Sequence, residues 1–572
     1  MSQRLRQLLR TVALLAAGSL SAGDWEFPVD MVTGADAEIR LTVPGGQMPQ
    51  QGFLPLRVRI NNRATSERSW RLEIGSPAMG GYGGTGAELN SAHNFAVPGA
   101  STREFFIFAP VPSLLSRRGG GLSGTMTGPQ VERTTFGLHL GYGWGAPNAR
   151  LAIEPALESR LAKLMAAETT PPPAVLSTVA GGRVPPRRFA GNPMQNISLI
   201  DPALWPADWR LWSSYATVML DQATWDRLDS TRRRALLDWV ALGGTLVRVN
   251  GGESRERFGT GLIVTRSTPM LTDRGDIQQF LLSDNSQQHG GPASLASAAF
   301  WDLVPRTWQL EGKHRWLTGY IVLFGLLIGP VNLFYFAPAG RRHRLFFTVP
   351  FISVGAAVVL FGIITLSDGL GGAGTRRAVV LLQPAQNQAV VFQRQISRTG
   401  MLAGRKFGLP ADAIMTLDAD DRQAMGAGQE MWREGDTASG DWFASRSVRQ
   451  HTLLRLVPTR ERVELVSPAG AAPVVQSTVG GTLRNFYFLD DKGAKWTAAE
   501  IPPGTRVTLS PLPGNLTIPQ PDILRYVASH NRGTFYALGD AGGLIPTLPT
   551  IRWRDDLVLY TGRLDAGKEA TP

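Results

Sequence analysis

The sequence contains two long apolar runs, WLTGYIVLFGLLIGPVNLFYFA at residues 316–337 and LFFTVPFISVGAAVVLFGIITL at residues 345–366. Neither run contains a charged residue. A helix of about 20 apolar residues is long enough to cross a bilayer. We therefore predict a transmembrane helix pair at residues 316–366, joined by a short loop at residues 338–344.

The connecting loop carries the topology signal. Arg341, Arg342 and Arg344 lie in it, and short loops rich in Arg and Lys stay in the cytoplasm. Both flanking regions are then expected on the opposite side of the membrane. Residues 1–22 support this, because three arginines precede a short apolar run and small residues, as in a secretory signal peptide. We predict a protein of the bacterial inner (cytoplasmic) membrane with soluble domains facing the periplasm or exterior.

The first apolar run contains the unusual sequence GPVN, with Gly329, Pro330 and Asn332. Proline removes one helical N–H, so a kink is expected there. Asn332 is expected either to satisfy the freed backbone groups or to bind a neighbouring helix, an interaction of roughly 0.6–2 kcal/mol. A transport path is the alternative, but such paths are marked by charged residues inside the spans. The prediction is an anchor with a helix contact.

Strand patterns dominate both ends of the chain. Residues 37–155 contain short β-branched and aromatic runs separated by Gly, Pro and Asn. Leu54, Leu56, Val58 and Ile60 alternate with other residues and predict one buried face. An Ig-like β-sandwich is expected here. Residues 376–562 show the same rhythm and predict a β-rich extracytoplasmic domain.

A different pattern separates the sandwich from the apolar runs. Residues 156–173 predict a helix followed by a proline linker. Within residues 174–300, YATVMLD and TLVRVNGG are candidate strands on either side of the amphipathic helix DSTRRRALLDWVALGG. Asp229 or Ser230 provides an N-cap, and Gly243 and Gly244 provide a C-cap. Strand, helix and strand at this spacing predict a parallel α/β sheet.

Residues 215–251, with the motif WVALGGTL, resemble the core of class I glutamine-amidotransferase-like domains. Together with the GPVN hairpin, they resemble uncharacterised bacterial envelope membrane proteins that combine such a domain with a two-helix membrane hairpin and β-sandwich domains. The resemblance implies the fold. The active class I glutamine amidotransferases use a Cys nucleophile. This chain has no cysteine, so amidotransferase chemistry is excluded.

Composition and motifs exclude several other classes of function. The net charge is +12, but the basic residues are scattered and form no run typical of nucleic-acid binding. The seven histidines are dispersed, without the spacing of a zinc site. No phosphate-binding Gly-Lys-Ser/Thr loop occurs. We expect no catalytic, cofactor-binding or metal-binding residues, and no nucleic-acid partner.

The leading hypothesis is a non-enzymatic, membrane-anchored envelope protein that binds or scaffolds another extracytoplasmic component. Its partners would be the lipid bilayer and a protein of the envelope or membrane. A second hypothesis is an accessory subunit of a membrane transport or export complex, with Asn332 meeting a partner helix. A third is a hydrolase that uses Asp or Ser residues at a strand end of the α/β domain.

Overall fold

The computed structural model of the chain describes residues 25–29, 36–44, 52–75, 87–111, 122–129, 131–138, 151–154, 157, 197–199, 206–215, 217–267, 314–368, 371–402, 404–417, 429–467, 472–512, 532–540, 542–554 and 556–564. The predicted signal peptide at residues 1–22 lies outside these residues. So does the predicted helix and proline linker at residues 156–173, apart from Leu157.

Among the described residues before the apolar runs, the strands are β1 (Trp25–Val29), β2 (Ala37–Val43), β3 (Gly52–Asn62), β4 (Arg68–Gly75), β5 (Ala87–Val97), β6 (Ser101–Val111), β7 (Leu122–Gly128), β8 (Val131–Leu138), β9 (Leu151–Ile153), β10 (Ile197–Leu199), β11 (Thr217–Asp221), β12 (Thr245–Val249), β13 (Ser254–Phe258) and β14 (Gly261–Arg266). A 3-10 helix, Trp209–Ser214, precedes β11. Two helices, α1 (Gln222–Arg227) and α2 (Ser230–Ala241), separate β11 from β12.

In the part of the chain that the structure describes after the apolar runs, the strands are β15 (Gly372–Gln383), β16 (Gln388–Thr399), β17 (Lys406–Gly408), β18 (Ile414–Leu417), β19 (Gln429–Glu434), β20 (Thr437–Gly440), β21 (Val448–Pro458), β22 (Val463–Ser467), β23 (Val474–Ser477), β24 (Leu483–Leu489), β25 (Lys495–Ile501), β26 (Arg506–Thr508), β27 (Ser510–Pro511), β28 (Thr534–Gly539), β29 (Ile551–Trp553) and β30 (Leu557–Arg563). The short 3-10 helices Pro384–Gln386 and Asp441–Phe443 lie between some of them.

The N-terminal strands form two facing sheets. Sheet A has the order β1-β2-β3-β6, and sheet B has the order β17-β20-β19-β5-β4-β7-β8. The alternation predicted in β3 is present, since Leu54, Leu56, Val58 and Ile60 are fully buried. They pack in one core with side chains of β4 and β5, including Trp70. The predicted sandwich is thus confirmed as β-sandwich-like sheets.

Sheet B contains strands from both sides of the apolar runs. Strand β19 pairs in parallel with β5, with Leu89 opposite Met431. Strands β20 and β17 extend the sheet further. The ranges predicted as separate domains, residues 37–155 and 376–562, therefore share one hydrogen-bonded sheet.

Sheet C is the parallel sheet expected from the strand–helix–strand pattern, with the order β10-β9-β11-β12-β14-β13. Its pairs are parallel except for β13 with β14. Asp229 caps α2 by accepting a hydrogen bond from the Arg232 backbone N–H at 2.8 Å. Gly243, with a φ of +112°, ends the helix. A Cβ on Gly244 would lie 2.3 Å from the Trp239 ring, so the ring in this position leaves room only for glycine at 244.

Strand β9 belongs to sheet C, although it lies within the range predicted for the sandwich. The region after the apolar runs is β-rich, as predicted. Nine of its strands follow the order β18-β21-β16-β15-β30-β28-β24-β25-β27, and β29 pairs with β15. We call this ten-stranded sheet D. Strands β22, β23 and β26 form a small separate sheet.

The apolar runs form a helical hairpin. Helix α3 (His314–Leu326) continues as a π-helix, Leu327–Phe336. After a turn and a 3-10 helix, Arg342–Arg344, helix α4 (Leu345–Asp368) returns. Residues 314–368 are called the apolar hairpin below. Both of its helices are long and apolar enough to cross a membrane, over Thr318–Phe336 and Arg342–Ile363.

Candidate functional site

The apolar hairpin exposes apolar side chains along both of its helices. Exposed aliphatic side chains include Ile321, Leu326, Val354 and Val358. Almost none of either span is buried by the part of the chain that the structure describes. A helix that is apolar all round and uncovered by its own chain matches a lipid environment or other membrane helices.

Pro330 lies inside the π-helical part of the first span. The wider hydrogen-bond pattern is seen at the end of this segment, where the Ala337 N–H donates to the carbonyl of Asn332 at 2.9 Å. A π-helix shifts the backbone pairing by one residue, which accommodates a residue that has no N–H to donate. Local widening of the helix therefore occurs at the predicted Pro330 site.

Asn332 is buried within the apolar hairpin. Its exposed fraction is 0%, and neither its Oδ1 nor its Nδ2 has a hydrogen-bond partner among the described residues. Gly329 is different, because a Cβ placed on it would meet no described atom within 4 Å. The hairpin thus holds the amide inside and presents the glycine outside. The two helices are also joined where the Tyr320 hydroxyl donates to the carbonyl of Ala356.

The turn of the hairpin is basic and exposed. Arg341, Arg342 and Arg344, the residues of the predicted topology signal, are all exposed. Their guanidinium groups make no ion pair or hydrogen bond with any residue that the structure describes. Large aromatic side chains flank them, which the sequence analysis did not single out. The signal was present as the run LFFTVPF directly after Arg344.

A junction connects the soluble regions that precede and follow the hairpin. Phe53 of β3 is 1% exposed and contacts Trp209 edge-on, with 5.7 Å between ring centroids. The guanidinium of Arg210 lies 5.5 Å from the Phe53 ring centroid and that of Arg433 lies 6.0 Å away. These residues come from sheet A, from the 3-10 helix before β11 and from β19.

Polar contacts reinforce this junction. Glu434 accepts hydrogen bonds from the side chains of Asn94, at 2.9 Å, and Arg71, at 3.3 Å. Arg433 donates to the carbonyls of Ala413, at 2.9 Å, and Pro410, at 2.8 Å. Burial lowers the pKa of Arg433 to about 10. Burial, assisted by the positive charge of Arg210, lowers the pKa of His93 to about 4.

Sheet C is attached to sheet D in the same way. Leu236 and Trp239 of α2 share a buried cluster with Phe392 and Leu454 of sheet D. Arg234 donates to the side-chain carbonyl of Gln388 at 2.6 Å. The regions that precede and follow the hairpin in sequence therefore form one packed body.

The carboxyl ends of the parallel strands are the usual place for a site in an α/β sheet. Glu154 and Asp221 lie there, at the ends of β9 and β11. Glu154 accepts from the Asp221 N–H at 2.9 Å and from the Thr224 hydroxyl at 2.5 Å. Asp221 accepts from the Ala223 N–H at 2.8 Å and from the Asn250 amide. These carboxylates are occupied as helix caps and supports, which does not favour the hydrolase hypothesis.

No family profile and no curated protein sequence matches the chain. Among solved structures, it is similar to the yeast delta-COP-I mu-homology domain in complex with a peptide, with 10% identity and a TM-score of 0.15 over 34% of this chain and 96% of that one. It is also similar to a calcium-binding mutant of Bacteroides uniformis beta-glucuronidase 2, with 8% identity and a TM-score of 0.13 over 91% of this chain and 61% of that one. Bacteroides uniformis beta-glucuronidase 2 covalently bound to cyclophellitol-6-carboxylate aziridine matches with 9% identity and a TM-score of 0.15 over 93% of this chain and 63% of that one.

Proposed function

We propose that the chain is a non-enzymatic envelope protein anchored in the bacterial inner membrane by the apolar hairpin. Its soluble body binds or scaffolds another extracytoplasmic component. In this proposal residues 37–155 form an Ig-like module, and sheet C with α2 forms an amidotransferase-like module without a nucleophile. The turn of the hairpin faces the cytoplasm, and the soluble body faces the periplasm or exterior.

One observation carries the proposal: the apolar hairpin is uncovered, and the body on both sides of it in sequence is one packed unit. If the hairpin is inserted in a membrane, the chain must cross that membrane an even number of times for both parts of the body to lie on the same side of it. A two-helix hairpin meets that requirement, and three arginines at its turn supply an orientation. At the strand ends of sheet C, Asp221 caps α1, and Glu154 is hydrogen-bonded to the Asp221 N–H and to the Thr224 hydroxyl.

Cysteine labelling tests the orientation, because the native chain has no cysteine. Gly252→Cys and Lys492→Cys place exposed thiols in the β12–β13 loop and in the β24–β25 turn. Ala339→Cys places one in the hairpin turn. We expect the thiols at 252 and 492 to react with a membrane-impermeant maleimide once the outer membrane has been made permeable. The thiol at 339 should react only after lysis of the inner membrane. Protection of residues 252 and 492 before lysis would contradict the proposed orientation.

An accessory subunit of a membrane transport or export complex is the second candidate. The observation that favours it is the open space beside Gly325 and Gly329, because glycines four residues apart let another helix approach closely. Asn332 gives this candidate no support, since its side chain is buried. Site-specific crosslinking from position 325 in intact membranes distinguishes the two, because a subunit yields a defined helix partner and an anchor yields only lipid adducts.

A further inference from the structure

The turn of the apolar hairpin combines two features that point to one ligand. The first is unpaired positive charge. Arg341, Arg342 and Arg344 are exposed within a short turn, and no described carboxylate pairs with them. This differs from Arg376 and Arg455 in the soluble body, which form ion pairs with Asp556 and Asp412.

The second feature is a group of exposed aromatic rings on both sides of the turn. Tyr335 and Phe334 end the first helix, and Tyr335 is 79% exposed. Phe346 and Phe347 begin the second helix, and Phe346 is 83% exposed. Tyr, like Trp, is enriched where a membrane protein leaves the hydrocarbon core. Tyr335 therefore places the turn at the level of the lipid headgroups, and the phenylalanine rings beside it add exposed apolar surface.

We propose that the turn is a binding site for anionic phospholipids, with the three arginines contacting headgroup phosphates and the rings contacting the upper acyl chains. This inference rests on the proposed membrane insertion and adds a ligand class to it. Guanidinium groups bind phosphate oxygens in a bidentate manner. Basic residues beside a membrane helix attract anionic lipid, and each contributes separately.

A lipid accounts for the site better than free phosphate or an acidic protein. The rings would have no partner in a complex with inorganic phosphate, whereas a phospholipid supplies both the charge and the apolar chain. An acidic protein would have to displace headgroups that surround the turn at high local concentration. The site therefore selects lipids by headgroup charge within the bilayer.

The test uses the full chain in vesicles of phosphatidylcholine that contain a minor fraction of phosphatidylglycerol. A fluorophore on Ala339→Cys reports energy transfer to an acceptor attached to either lipid. We expect the phosphatidylglycerol acceptor to be enriched near the turn. Arg341→Gln, Arg342→Gln and Arg344→Gln should each reduce the enrichment, by up to roughly fivefold per arginine, and the triple variant should remove it.

Two further variants control this experiment. Arg103→Gln/Arg506→Gln/Arg552→Gln removes three exposed charges from the soluble body and should leave the enrichment unchanged. The triple Lys variant at 341, 342 and 344 keeps the charge and the orientation signal but not the bidentate contact. It should therefore retain part of the enrichment, more than the triple Gln variant and less than the wild type.

Equal enrichment in the wild type and in correctly inserted single Gln variants would overturn the proposal. Loss of enrichment on adding excess inorganic phosphate at constant ionic strength would overturn the lipid assignment in favour of a phosphate site. Resistance of the protein to alkaline extraction is measured on the same vesicles. A wild type that inserts without enrichment refutes the lipid site alone, whereas a wild type that fails to insert refutes the proposed function.

Discussion

The apolar hairpin and the three-region junction around Phe53 are built on opposite principles. In the hairpin, large apolar side chains such as Phe351 are exposed. Among its described residues Asn332 is the one buried polar side chain, and that side chain has no hydrogen-bond partner there. At the junction, an apolar ring is buried and the charged groups around it are paired. The first arrangement suits a surrounding apolar medium. The second suits water outside and specific contacts within.

The largest expected change in stability comes from replacing a phenylalanine of the junction with alanine. Phe53→Ala removes a fully buried ring that joins sheet A to Trp209 and to two guanidinium groups. We expect a loss of about 3–5 kcal/mol in the free energy of unfolding of the soluble body. Urea unfolding of the detergent-solubilised protein, followed by tryptophan fluorescence, measures it.

Phe351→Ala is the matched control, because the same atoms are removed from a ring that is 81% exposed. It should leave the unfolding of the soluble body unchanged within about 0.5 kcal/mol. Equal losses for the two variants would show that the hairpin is part of the folded body rather than a separate membrane element.

The same contrast explains what could be predicted from the sequence. The hairpin depends on local composition, and its predicted range of residues 316–366 lies within the observed hairpin, which begins at His314 and ends at Asp368. The alternation in β3 and the cap at Asp229 are also local. They too were predicted correctly.

The junction depends on residues that are distant in sequence. Strand β19 pairs with β5, which lies more than 300 positions earlier in the sequence. Arg433 contacts Phe53 although the whole hairpin lies between them in the sequence. Neither strand carries a pattern that specifies its partner, because many strands in this chain have similar alternation. The burial of Asn332 was also missed, since a helix sequence alone does not reveal which side faces the second helix.

A smaller effect is expected from acid. His451 is fully buried between Trp442 and Phe443, and its Nε2–H donates to the carbonyl of Trp442 at 3.1 Å. Burial lowers the pKa of His451 to about 3, with the charge of Arg449 adding to the effect. The unfolded chain binds a proton near pH 6.5, so this contribution to stability is complete above that pH and is lost as the pH falls toward 3.

Between pH 7 and pH 5 the expected loss from this one histidine is about 2 kcal/mol. The comparison is between the wild type and His451→Gln, which keeps an N–H donor but does not titrate. Unfolding free energies at both pH values should fall more steeply for the wild type, by that amount. Parallel pH profiles would show that His451 does not carry the acid sensitivity. The pKa of His93 is also lowered. The same test at His93 therefore distinguishes the acid sensitivity of the junction from that of the core of sheet D.

The smallest expected effect concerns the buried amide in the hairpin. Asn332→Leu replaces a polar group that has no described partner with an apolar one of similar size. An unsatisfied buried amide destabilises a structure by about 1–3 kcal/mol, while hydrogen bonds between membrane helices contribute on average only about 0.6 kcal/mol. We therefore expect the helix pair to become more stable by about 1 kcal/mol, measured as the midpoint of unfolding in mixed micelles. Val331→Leu, at an exposed neighbouring position, should have no effect. If Asn332→Leu instead weakens the hairpin, the amide must be hydrogen-bonded, and the hairpin would then contain a polar contact that a bound water supplies.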